Sequence, residues 1–272
     1  MIQMPVTFGD SRITKDFLRD YYRNKKGVPW NLDYESYISD PSNKFRINLI
    51  HNKIKEINPA NILDAGSGPM HLRRGASDLN IDYYACDIST PDNVPAGAFF
   101  AVADIEELPF RENFFQCVVC SETIEHLVSP KAALMELKRV LAYEGKLILT
   151  VPNWFSLDSF DSITGLISFA ASIASKSKKY GELKSGVNTH LTKLPPWDWK
   201  KMIECCGLSI VEDGPIYVFP YIPYFMKTAK ELERSIMSNM NIAELFSAVE
   251  KNNSLKKLMK YFGQFHYFVC EK

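Results

Sequence analysis

The chain has 272 residues, 46% of them hydrophobic, which is enough to bury a full core and suits one α/β domain with insertions. Its 32 basic residues balance 32 acidic ones with no dense Lys/Arg block, so it lacks the electrostatic footprint of a nucleic-acid binder. There is no basic segment followed by an apolar core at the N-terminus and no apolar run long enough to span a bilayer, so a cytoplasmic protein is expected.

Residues 1–41 are polar and aromatic without clear periodicity, with Phe17, Tyr21, Tyr22, Trp30, Tyr34 and Tyr37 among Arg and Lys. They read either as a cap over one edge of the core or as a lid whose rings line a substrate pocket. From Ser42 the spacing of Ile47, Ile50, Ile54 and Ile57 predicts a helix, ended by Asn58-Pro59. It delivers the chain into Ile62-Leu63-Asp64-Ala65-Gly66-Ser67-Gly68-Pro69-Met70, a buried strand that runs into a glycine turn. A helix over His71–Leu79 should follow, its N-terminal amides turned to a ligand's carboxylate. The turn does not read as a phosphate cradle. His71 stands where a dinucleotide fingerprint wants a third small residue, and the Gly-Lys-Ser/Thr of a P-loop is absent. Asp64 would repel a pyrophosphate, but it suits a ligand that carries a cation and an ammonium group.

A second strand, Ile81 to Cys86, ends in Asp87, at the distance beyond a glycine turn where a ribose-binding acid is expected. A third, Phe99 to Ala103, ends in Asp104 and is followed by Ile105-Glu106-Glu107-Leu108-Pro109-Phe110. Three successive strands thus end in a carboxylate, at the end where open α/β sheets bind their ligands. Over about residues 45–222 this order resembles class I S-adenosylmethionine-dependent methyltransferases. The resemblance implies a Rossmann-like, seven-stranded, mostly parallel sheet with helices on both faces, an antiparallel last strand and helical insertions. It assigns the methionine part of the cofactor to the glycine turn, the ribose to the second acid and the adenine to the third. The implied cofactor-binding residues are Asp64, Gly66, Ser67, Gly68, Asp87, Ile88, Asp104, Ile105 and Ser121. The chain departs from the family's Asp-x-Gly-x-Gly-x-Gly at Met70, which stands at the last glycine position. That side chain either crowds the methionine half of the cofactor or alters how the helix packs.

The fourth strand, Phe115 to Ser121, holds Cys117-x-x-Cys120, whose side chains, three apart in a strand, should point to opposite faces rather than share a metal or a disulfide. It leads into Ser121-Glu122-Thr123-Ile124-Glu125-His126-Leu127. If this segment turns helically, Glu122, Glu125 and His126 share one face and can hold a divalent metal. Otherwise Glu125 and His126 cap or pack a turn near the cofactor, with Glu122 solvated. The Cys-x-Glu-x-x-Glu-His pattern looks most like the O-methyltransferases of coenzyme Q biosynthesis. That resemblance implies Glu122, Glu125 and His126 as ligands of a metal such as Mg²⁺ beside a catechol-like hydroxyl. A metal lowers the pKa of a bound hydroxyl, and a histidine ligand leaves Mn²⁺ or Zn²⁺ open. Without a metal, His126 is the candidate general base, with Glu125 acting beside it.

Ser129-Pro130 starts a helix with Leu134, Leu137 and Leu141 on its sheet side and Gly145 past its end, and Lys146 to Val151 is the fifth strand. An insertion at about residues 155–192 reads as an amphipathic helix, packed on the domain, closing over the substrate as a lid, or lying on a membrane surface. His190 reaches back toward the site by the resemblance and is otherwise a structural loop histidine. A helix through Trp199, Met202, Ile203 and Cys206 ends at Gly207, the sixth strand begins at Leu208, and Phe265 to Cys270 is the last strand. Residues 221–263 suggest two or three helices that cap the site or pair with a second subunit in a homodimer.

The expected organisation is a cap over 1–41 and a methyltransferase domain over 42–272. The expected function is S-adenosylmethionine-dependent methylation of a small lipophilic or phenolic hydroxyl. Metal-free methylation of a sugar or amine, and cofactor binding without catalysis, are the competing readings.

Overall fold

A computed structural model describes residues 20, 33–75, 80–153, 191–192, 194–216 and 265–272. Most of the N-terminal segment, His190, nearly all of the 155–192 insertion and all of 221–263 lie outside the described residues.

Two helices lead in. α1 (Tyr34–Ile38) is capped by Asp33, whose carboxylate accepts from the Ser36 N–H. α2 (Pro41–Ile57) starts at Asp40 with proline in its first turn and stops at Asn58, which takes the left-handed conformation that halts a helix. The remaining described elements follow in the order β1 (Asn61–Ala65), α3 (His71–Gly75), β2 (Asp82–Asp87), β3 (Ala98–Val102), β4 (Phe115–Ser121), α4 (Pro130–Val140), β5 (Leu141–Pro152), α5 (Pro196–Cys205), β6 (Ser209–Ile216) and β7 (Phe265–Glu271).

The strands form one seven-stranded sheet in the order β3-β2-β1-β4-β5-β7-β6. β1 to β5 pair in parallel, and β7 is antiparallel to both β5 and β6. This is the expected sheet, with its antiparallel last strand.

Apolar clusters cover both faces. One joins β1, β4 and β5 to α4 and α5 through Leu63, Val118, Leu134, Leu137, Trp199 and Ile203. The other joins the same strands to α2 through Ile47, Ile50, Ile54, Ile62, Val119 and Ile148. The two cysteines of the C-x-x-C divide between these clusters, Cys117 in the second and Cys120 in the first, and both are free thiols. Strand alternation separates them as expected.

β5 begins five residues earlier than the sequence suggests. Leu141 continues the apolar spacing of α4, yet it is that helix's C-cap and already pairs with Phe115. The ladder then skips to Cys117 with Lys146, and Glu144 takes a positive φ of 63° in the bulge between.

Because β1 is flanked by β2 on one side and β4 on the other, the order of the sheet reverses between β1 and β4. The C-terminal ends of these two strands frame the crevice in which open α/β sheets bind ligands.

Candidate active site

The glycine turn follows β1. Gly66 and Ser67 donate their N–H groups to the Cys86 carbonyl at 2.8 and 3.0 Å, which ties the turn to the end of β2. Gly66 adopts φ +78° and Gly68 φ +48°. A side chain at residue 66 would overlap Thr123, whereas the space beside Gly68 is open within 4 Å. The turn is therefore closed on the β4 side and clear at Gly68. The Ser67 hydroxyl is buried without a hydrogen-bond partner, an atom that a bound ligand would satisfy.

Asp87 caps the cradle. Its Oδ2 accepts the Gly68 N–H at 2.9 Å, and its Oδ1 accepts the Ser89 N–H and hydroxyl at 2.9 and 2.8 Å. A carboxylate has about four acceptor positions, so Oδ2 keeps room for a further donor such as a ribose hydroxyl. Ile88 follows and is partly buried. Asp104 lies just past β3, where its Oδ1 accepts the Glu106 N–H and closes a tight turn, and Ile105 packs into the core. Asp64 is buried at the end of β1, where the Tyr83 hydroxyl donates to it at 2.5 Å. Burial pushes its carboxyl up to about 7 despite that hydrogen bond.

Met70 resolves one of the two alternatives. It takes φ +61° and is fully buried in the cluster that α2 makes with the sheet. It serves core packing, the second of the two expected roles, at the cost of a backbone conformation that favours glycine.

The segment after β4 departs from the expected helix. Ser121 ends the strand, Glu122 adopts φ +50°, and only Ile124–His126 turn, as one short 3-10 helix. A left-handed residue breaks the i, i+3, i+4 relation, so Glu122, Glu125 and His126 do not share a helical face. Among the described residues no group of three His, Cys, Asp or Glu side chains could hold a metal ion. The metal assignment to Glu122, Glu125 and His126 is corrected accordingly. Glu122 is not solvated either, with a side chain only 16% exposed. Its Oε1 accepts from Thr150 Oγ1 at 3.0 Å, and Ser121 Oγ lies 2.9 Å from that same Thr150 oxygen. Where a metal would have supplied positive charge there is Arg46, whose Nη1 stands 3.7 Å from Glu122 Oε2.

Glu125 is 1% exposed, and neither of its carboxylate oxygens has a hydrogen-bond partner. His126 Nε2 stands 3.6 Å from Oε1, within ion-pair reach only. Burial pushes both carboxyls up to about 8; Arg46 opposes the rise at Glu122, and at Glu125 its own backbone N–H does so first and Arg46 second. The Glu125 carbonyl accepts the Thr192 N–H at 2.9 Å, so the chain returning from the insertion meets this segment.

Arg46 is the site residue that the motif pattern misses. It lies four residues before Ile50 on the apolar stripe of α2, so a charged residue at a core position was the available signal. Its Nη2 donates to the Tyr37 hydroxyl and, at 3.0 Å, to Asn43 Oδ1, and its guanidinium lies 4.5 Å from the centre of the Phe265 ring. Tyr37 in turn stacks on His71, the first residue of α3, at 4.1 Å between ring centres. Arg46 thereby links the helix after the glycine turn to the Glu122–Glu125 segment.

Comparison with known proteins points the same way. Residues 63–149 match the family model of a methyltransferase domain. An uncharacterized protein of Methanocaldococcus jannaschii is 32% identical over 111 residues, 41% of this chain and 49% of that protein. A demethylmenaquinone methyltransferase of Paenarthrobacter aurescens is 26% identical over 142 residues, 46% of this chain and 54% of the relative. The chain spans about half the length of the curated relatives it matches. Among solved structures, a candidate sarcosine dimethylglycine methyltransferase from Galdieria sulphuraria superposes with a TM-score of 0.50 at 12% identity, covering 85% of this chain and 86% of that one, a likeness of fold.

Proposed function

We propose that this chain, which carries a class I S-adenosylmethionine-dependent methyltransferase domain, methylates the hydroxyl of a small phenolic or lipophilic acceptor. The observation that carries this reading is Glu125. A buried carboxylate with no hydrogen-bond donor is costly, and an acceptor hydroxyl placed against it removes the deficit.

When bound, the cofactor supplies a methyl group on a sulfonium, which leaves as the carbon–sulfur bond breaks with its electron pair retained by sulfur. The chain's own residues do the rest. Gly66 and Gly68 let the backbone approach the ligand, Ser67 offers a hydroxyl, and Asp87 offers an acceptor to the ribose. Glu125 takes the acceptor's proton as the oxygen forms its bond to carbon, and later releases that proton to water. A carboxyl held near 8 is a stronger base than an ordinary one, which suits removal of a phenolic proton. His126 lies within reach to pass the proton outward. Holding the acceptor in line in a dry site is worth several kcal/mol, of the order of 7 for well-oriented partners.

The printed name of the Paenarthrobacter aurescens relative, a methyltransferase of demethylmenaquinone, supports an aromatic, lipophilic acceptor. The test is transfer of labelled methyl from S-adenosylmethionine to a panel of phenols and hydroxyquinones, with wild type and Glu125→Gln. Labelled ether formed by the wild type and reduced at least about 100-fold in the variant supports the reading. Transfer to amines alone, or equal rates in the two proteins, rejects it.

A further inference from the structure

We propose that Arg46 acts on the acceptor directly, its guanidinium receiving the hydroxyl oxygen as that oxygen becomes an oxyanion. This rests on the reading of Glu125 as the group that takes the acceptor's proton.

The Nη2 hydrogens of Arg46 are used by Tyr37 and Asn43. Its Nε is buried with no partner, and Nη1 faces Glu122 at 3.7 Å, too far for a hydrogen bond. Glu125, whose charge bears on Arg46, has two oxygens with no donor from another residue. An unused buried donor on a cation and unused acceptors on a nearby buried carboxylate thus stand side by side in the hydrogen-bond accounting. Each alone would be expensive, and native proteins seldom leave such groups unpaired.

A ligand that satisfies both sets must donate and accept through one small group. An ammonium donates only and would leave Arg46 unused. A carboxylate accepts only and would leave Glu125 unused. A hydroxyl does both, giving its proton toward Glu125 and accepting from Arg46. Arg46 is also fixed before the acceptor arrives, by Tyr37, Asn43 and the face of Phe265, so no reorganisation is needed as negative charge develops on oxygen. The guanidinium stays protonated throughout, so it acts as a fixed cation and the proton goes to Glu125.

The test uses 4-nitrophenol, whose visible absorption reports its ionisation, titrated with pH in the presence of saturating full-length protein. Wild type should lower the probe's ionisation midpoint by about one pH unit or more. Arg46→Lys, which keeps the charge, should retain part of the shift, and Arg46→Met should abolish it. S-adenosylhomocysteine binding measured on the same proteins reports both folding and the cofactor reading, and it should change less than about threefold, a factor worth under 1 kcal/mol. A shift that survives in Arg46→Met overturns the proposal. So does a wild type that leaves the probe's absorption unchanged, a result that stands even if Arg46→Met does not fold. Loss of S-adenosylhomocysteine binding in wild type would instead overturn the methyltransferase reading, so the two failures are distinguishable.

Discussion

Thr123 occupies the space that a side chain at Gly66 would need: a Cβ built on Gly66 would stand 2.8 Å from Thr123 Cβ and closer still to its γ atoms. The Thr123 hydroxyl also lies 3.3 Å from the Gly66 carbonyl and 3.0 Å from that of Ser121. The glycine turn after β1 and the segment after β4 are therefore packed as one unit across the switch between β1 and β4.

Gly66→Ala is expected to be destabilised by about 1–3 kcal/mol, because it combines a left-handed backbone with this overlap. Adding Thr123→Gly should recover part of the loss by removing the overlap, while the φ of +78° keeps the rest. Denaturant melts of the single and double variants check this. Equal stability of Gly66→Ala and wild type would break the link between the two segments.

Three buried carboxyls give the protein a defined pH response. Burial holds Glu122 and Glu125 up to about 8 and Asp64 up to about 7, above the ordinary range that the unfolded chain shows. Between that range and pH 8 the folded protein binds more protons than the unfolded one, so stability falls as pH rises. The proposed base works only when ionised, so kcat/KM should climb as pH rises through about 8, in opposition to stability. Glu125→Gln should flatten the rate profile and raise the Tm at pH 8.5. A lower Tm for that variant at pH 8.5 would show that Glu125 is paired.

Met70→Gly restores the family's glycine at a left-handed position, yet it removes a fully buried side chain from the α2 cluster. Loss of a buried Met costs about 2–5 kcal/mol, against about 1 kcal/mol of relieved backbone strain. The variant should melt lower and bind S-adenosylhomocysteine within about threefold of wild type. A large gain in affinity would mean that Met70 obstructs the cofactor after all.

Metal should be dispensable. Among the described residues Glu122, Glu125 and His126 form no group that could hold a metal ion, and Arg46 supplies positive charge beside Glu122. Methyl transfer measured with excess EDTA and then with added Mg²⁺ should differ by less than about twofold, a small fraction of the several kcal/mol that a catalytic metal supplies. A tenfold activation by Mg²⁺ would restore a metal-dependent mechanism.

The frame of the site was legible because each of the first three strands is a short run closed by an acid, at Asp64, Asp87 and Asp104, and because the glycines sit directly after the first. Strand alternation alone separated Cys117 from Cys120. What failed had a local cause. Leu141 satisfies helical spacing although it already pairs in β5. Glu122 carries no sign in the sequence that its backbone is left-handed, and that single dihedral dissolves the helical triad. Arg46 showed in the sequence only as a charge on the apolar stripe of α2, because the partners around it, Tyr37, Phe265 and Glu122, are brought together only by the tertiary fold.

The most direct test of the account is calorimetric titration of the full chain with S-adenosylhomocysteine, repeated on Asp87→Ala. Asp87 fixes Gly68 and retains an acceptor for the ribose, so micromolar binding by wild type, weakened at least about tenfold (1.4 kcal/mol) in the variant, is expected. No binding by the wild-type protein would contradict the methyltransferase reading at its root.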